Sequence, residues 1–264
     1  MTNFVRLPYR LAKGSAVERF NRAEKCNKQV FDVVKKKVEN GNVKLETLRD
    51  AFESKLHRMI TCIISKEERG GVAGGTALLQ SRFNQELSGY EVFLPIQKDE
   101  TLNIQDIHVA MHEFRHVFDM INNPKINQRK IIMGRLPEAS LKINYMDSIY
   151  NNKIYTRKKY DKFDILDAIE MMLAPFSKEE QVGVLQLIRY RLKLEHNAYK
   201  ETTNIQSELK RLYGDSFNQS DYISVREFNF PRKIKLVEER LKEALFECRA
   251  ENAKKRVNRN KLSF

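Results

Sequence analysis

The stretch from Ser177 to Gly214 limits what this chain can fold into more than any other. Ser177-Lys178-Glu179-Glu180 is a capping-box pattern, in which the serine and glutamate side chains satisfy each other's orphan backbone N–H groups at a helix start. No proline interrupts the residues that follow, and the next strong stop is Gly214. The pattern predicts one helix over 178–212, about 50 Å long at about 1.5 Å per residue. Lys-, Glu-, Leu- and Ile-rich runs continue elsewhere, with only 10 Gly, 6 Pro and no Trp in 264 residues. The fold class expected is therefore mainly α (α+β), with a small edge β-sheet ahead of the helix at 103–122.

With 41% hydrophobic residues the chain can bury a sizeable core, and a single domain over 1–264 is expected. N-terminal helices are placed within 16–66. The first runs over 16–39, with Ser15 as cap and Val17, Phe20, Ala23, Val30, Phe31 and Val34 recurring at three and four, until Asn40-Gly41-Asn42 breaks it. The second spans Leu45 to Ile64 on Leu48, Phe52, Leu56, Met59 and Ile60. A strand region follows over 72–97. Its glycine-rich start, GGVAGGTALL from Gly70 to Leu79, has the outer spacing of a phosphate loop. Thr76 stands where the lysine should be, so it reads as a flexible loop. Tyr90 to Ile96 reads as a strand, and Pro95 marks an edge or a strand end. A helix over 103–122 has Asn103 as N-cap and Leu102 and Ile107 as a hydrophobic staple. Residues 124–160 read as irregular, with YNNKIYTRKKY as a surface loop. A short helix covers 161–173, and a basic C-terminal helix over 231–258 ends in the solvated tail AKKRVNRNKLSF.

The net charge is +13 and the pI about 9.5. That favours acidic partners and leaves room for weak nucleic-acid or polyanion binding. The basic residues are spread out, so they are read first as a coat on helix faces. Cys26, Cys62 and Cys248 are few, odd in number and far apart, which argues against a disulfide framework. No apolar signal region opens the sequence, and no apolar run reaches about 18 residues. The expected location is cytoplasmic, or exported without a cleavable signal in the manner of an effector.

Residues 111–120 read MHEFRHVFDM. His112 and His116 are four apart, which on a helix puts both imidazoles on one face, one turn apart. Both can then reach one Zn²⁺ at about 2.0–2.1 Å. Glu113 points about 100° away, beside such an ion rather than onto it, where a carboxylate can accept a proton from water. With five histidines in the chain, composition alone gives a chance HExxH a probability on the order of 0.01. The rival reading is a pair of helix histidines making ordinary hydrogen bonds. On His112, Glu113 and His116, and on the order strand then helix, the chain resembles the zincin superfamily of metallopeptidases. The astacin-like extension does not follow the motif.

That resemblance implies a zinc peptidase acting on a protein or peptide, with Glu113 as general base and a third protein ligand downstream. Glu195 leads the candidates. It interrupts an apolar stripe of Ile188, Leu192, Ala198 and Tyr199, and a buried carboxylate is costly unless paired or metal-bound. Glu-x-x-Ala-Tyr at 195–199 also looks like the glutamate-bearing helix of Glu-zincins. Glu170, also placed on an apolar face, His196 and Asp119 stay open as alternatives; Asp119 would ligate or support a histidine. Tyr199 reads as a packed aromatic, with an oxyanion hydrogen bond as its functional alternative. His108 reads as a surface residue near the helix start, and His57 as packing or solvent. The strand Tyr90–Ile96 is expected to pair with an extended substrate. The competing function is a basic helical module binding nucleic acid or an acidic protein, with HExxH incidental; a hybrid is a SprT-like nucleic-acid-associated protease.

Overall fold

The computed structural model describes residues 14–56, 61–66, 75–80, 87–122, 137–156, 161–214, 217 and 228–261. Met59, Ile60, His57 and the glycines from Gly70 to Gly74 lie outside them. The described residues are mainly helical, with small sheets. They form two compact units, Met1–Ile131 with Asn197–Ser224, and Ile132–His196 with Val225–Phe264.

The first unit opens with α1 (Ala16–Val34), whose capping box is Ser15 with Glu18. A 3₁₀ turn, Lys35–Lys37, follows, and Asn40 and Gly41 at φ 50° and 76° turn the chain. Strand β1 (Asn42–Lys44) leads into α2 (Leu45–Glu53). Here the expected second helix is too long. It ends at Ser54, and Thr61–Lys66 form strand β2 instead. Leu56 continues the helical spacing, but the β-branched run Thr61, Ile63, Ile64 suits a pleated ladder.

Strands β3 (Gly75–Gln80) and β4 (Leu87–Leu94) complete a sheet ordered β2-β4-β3. β4 pairs in parallel with β2, Thr61 opposite Gly89, and antiparallel with β3, Gly75 opposite Phe93. Gly75 to Leu79 thus belong to a strand, not to a loop. Pro95 does end β4, but β4 is the centre of the sheet and not its edge. Its alternate residues Tyr90, Val92 and Leu94 are buried. Both of its hydrogen-bonding edges are taken, so it has none left for a substrate strand.

Strand β5 (Thr101–Asn103) pairs antiparallel with β1, and a 3₁₀ turn, Ile104–Asp106, joins it to α3 (Ile107–Asn122). The Asn103 side chain accepts from the Gln105 N–H at 2.9 Å, so the predicted cap is present on the 3₁₀ turn. Leu102 and Ile107 are both fully buried. α3 packs on α1 and on β3 and β4. Phe114 of α3 stacks on Phe52 of α2 at 3.8 Å, and Phe118 meets Phe52 edge-on at 5.3 Å. These rings sit in a core with Val30, Val34, Leu48 and Met111, closed by Ile205 and Leu209.

The second unit begins with α4 (Pro137–Ile149), in the region expected to be irregular. Asn, Lys and Tyr mask an apolar face there: Ile143, Met146, Ile149 and Tyr150 are buried at helical spacing. A π-helical turn, Tyr150–Ile154, continues α4, so Tyr150 and Tyr155 are not on a surface loop. Next comes α5 (Lys162–Leu173), capped reciprocally by Asp161 and Asp164.

The long helix α6 (Lys178–Tyr213) matches its predicted bounds to one residue, with Ser177 and Glu180 forming the capping box. Gly214 ends it at φ 54°, a conformation that costs glycine nothing. α7 (Phe230–Lys261) closes the chain and packs on α5. Among the described residues no helix is long and apolar enough to cross a membrane.

Candidate metal centre

α3 is the most buried helix of the first unit, because both its motif face and its Ile107, Met111, Phe114, Phe118 face are covered. His116 is buried and His112 half-buried. Their Nε2 atoms stand 3.0 Å apart, with the rings nearly perpendicular at 86°. Glu113 is also buried, at 7% exposure. The ring of Tyr199 meets that of His112 at 4.5 Å.

Glu195 lies one turn before Tyr199 on the same continuous helix. Of its expected stripe Ile188, Leu192 and Ala198 are fully buried, whereas Tyr199 and Glu195 itself are half-buried, so the carboxylate is less enclosed than expected. Its carboxylate accepts a hydrogen bond from the Tyr155 hydroxyl at 3.1 Å. Among the described residues, His112, His116 and Glu195 form a group that could hold a metal ion, all ligand atoms lying within 4.8 Å of one another. Two Nε2 atoms on one tetrahedral zinc would be about 3.3 Å apart, so the observed 3.0 Å spacing fits such an ion after a shift of a few tenths of an ångström.

The alternative ligands have other occupations. Glu170 is exposed and accepts from Arg240 at 2.5 Å, so the apolar face assigned to it belongs to Ile165, Ala168 and Ile169 instead. Asp119 is held by Arg115, whose Nε donates at 2.9 Å. Burial pushes the Asp119 carboxyl up, and the Arg115 charge opposes that rise. The His196 ring lies 6.0 Å from that of Phe230. His108 is half-buried rather than on the surface.

Sequence reasoning missed four residues around this centre. Arg115, in the middle of the motif, is 1% exposed. It donates to Glu201 at 2.6 Å as well as to Asp119, and its guanidinium lies 4.6 Å from the Phe20 ring centroid. Burial pushes the Glu201 carboxyl up to about 7, against the pull of Arg115. Asn27, fully buried on α1, donates to the Met111 carbonyl at 2.9 Å. Thr202, 3% exposed, sets its Oγ1 3.3 Å from Nδ1 of His112. Helical spacing carried a signal for Thr202: it is seven residues after Glu195, on the same face of α6. Nothing in the sequence marked Arg115 as buried, since arginine is mostly an exposed residue. Comparison with protein-family models, with curated proteins and with solved structures finds no match to this chain.

Proposed function

We propose that this protein is a zinc-dependent, zincin-like peptidase, in which Nε2 of His112, Nε2 of His116 and the Glu195 carboxylate hold the ion. The observation that carries the reading is the convergence of these three donors around a spacing that a tetrahedral ion fits, with a glutamate directly after the first histidine. Two imidazoles and one carboxylate also leave a fourth position for water or substrate. When bound, zinc polarises a carbonyl and makes water more acidic.

The chain's own groups do the rest. Glu113 is buried beside the two histidines, and its carboxylate accepts the proton of the attacking water and returns it to the departing amide nitrogen. Tyr155 donates to Glu195 and holds that carboxylate in one orientation. α3 packs against β3, and among the described residues β4 pairs on both sides while β3 lies at an edge of the sheet, so an extended peptide would add to β3. The substrate class is protein or peptide; a role as an effector or toxin would suit such an enzyme.

Elemental analysis of purified wild type, Glu195→Ala and Glu170→Ala tests the assignment. The expected result is about one zinc per chain in the wild type and in Glu170→Ala, with loss in Glu195→Ala. A folded wild type that takes up no zinc on titration overturns the reading. Glu113→Gln should keep the metal and lose turnover of a peptide library by about 10²–10⁴-fold. Retained turnover would remove Glu113 from the mechanism.

A further inference from the structure

The geometry points to Thr202 as the positioning residue that holds His112 in the tautomer with its proton on Nδ1, leaving Nε2 as a bare lone pair; the consequence for zinc rests on the peptidase reading above, but the tautomer itself does not. A threonine hydroxyl has one proton to give and two lone pairs to offer. Thr202 lies inside α6, and its Oγ1 is 2.8 Å from the carbonyl oxygen of Ala198, one turn back. A carbonyl can only accept, so the hydroxyl proton is committed there. What the Thr202 oxygen turns towards Nδ1 of His112, 3.3 Å away, is a lone pair. Nδ1 must then be the donor. A neutral imidazole carries one N–H, so Nε2 has none.

Nε2 of His112 is the atom 3.0 Å from Nε2 of His116. It is therefore presented, already unprotonated, at the point where the donors of the centre converge. The hydroxyl also fixes ring rotation from one side, and the Tyr199 ring at 4.5 Å restricts it from another. Histidine ligands usually donate their second N–H to a carboxylate, a backbone carbonyl or water. Here a hydroxyl already bound to its own helix takes that place. Because Thr202 is 3% exposed, water has little access to substitute for it.

The test compares wild type, Thr202→Val, which keeps the shape and removes the acceptor, and Thr202→Ser, which keeps the oxygen. Long-range ¹H–¹⁵N spectra of the metal-free protein report the protonated ring nitrogen directly. The expected result is His112 protonated at Nδ1 in the wild type and in Thr202→Ser, and a mixed or reversed tautomer in Thr202→Val. His112 protonated at Nε2 in the wild type overturns the proposal, whether or not the protein takes up zinc. Chelator competition then reads the consequence: Thr202→Val should bind zinc about 10–100-fold more weakly, with Thr202→Ser within about threefold of wild type. Unchanged affinity in Thr202→Val, in a wild type that does bind zinc, overturns the positioning role while leaving the metal centre intact.

Discussion

Arg115 shows most clearly how single residues are constrained here. A guanidinium at 1% exposure is tolerable only because Asp119 and Glu201 both accept from it and Phe20 covers its face. The arrangement is costly to the acids. Burial raises Glu201 to about 7 from an ordinary 4.5, so between those values the folded chain holds a proton that the unfolded chain has released. Stability from this group is thus fully present below about 4.5 and lost as pH rises towards about 7. The loss is at most on the order of 3 kcal/mol. Urea unfolding across that range should show the decline in the wild type and a flatter profile in Glu201→Gln. Equal slopes in the two proteins would mean that Glu201 titrates alike folded and unfolded.

At the scale of elements, the π-helical turn Tyr150–Ile154 is the feature whose stability has to be supplied from elsewhere. Such turns are rare and leave carbonyls poorly matched. Lys233 of α7 meets that need: its buried Nζ donates to the carbonyls of Ile154 at 2.7 Å and Thr156 at 3.0 Å. Burial lowers its ammonium to about 8. The turn in turn delivers Tyr155 to Glu195. Lys233→Met should destabilise the protein by about 1–3 kcal/mol, since it leaves two carbonyls without their donor. Denaturant midpoints measured at neutral pH check the size. If the centre binds zinc as proposed, its affinity should fall with it; unchanged affinity would mean that Tyr155 is held by its stacking on Tyr150, Phe228 and Phe230 instead.

For the whole molecule the dominant quantity is the net charge of +13. Several of the 48 basic side chains are paired with acids, which leaves that excess unchanged. Lys35 pairs with Asp32 and Glu208, Arg189 and Lys193 share Glu238, and Arg191 pairs with Asp147. Charge distributed in this way predicts weak, salt-sensitive attraction to polyanions rather than a dedicated site. Binding to duplex DNA should be measurable at about 50 mM salt and lost by about 200 mM, with zinc content the same in both conditions. Fluorescence anisotropy against salt checks this. Binding that survives physiological salt would instead favour the nucleic-acid-associated reading.

Periodicity and capping chemistry made the helices at 16–34, 107–122, 162–173, 178–213 and 230–261 legible in the sequence, but the second helix was read too long and the one at 137–149 was missed. α6 was legible to a residue because Ser177, Glu180 and Gly214 act on their own neighbours. The pair His112 and His116 was legible because helical spacing is local. Glu195 could be singled out by one carboxylate in an apolar stripe, although its approach to the histidines is a tertiary fact. What depends on residues far apart in sequence was not legible. Residues 61–66 became a strand because β4 was there to pair with them. Tyr90–Leu94 became the centre of a sheet rather than its edge for the same reason. Glu170 fell to Arg240, 70 residues away. Thr202 lies 90 residues from His112 and meets it only because α3 and α6 pack together. Local backbone preferences are written residue by residue, whereas partners for buried polar groups are set by which helices and strands come to lie against each other.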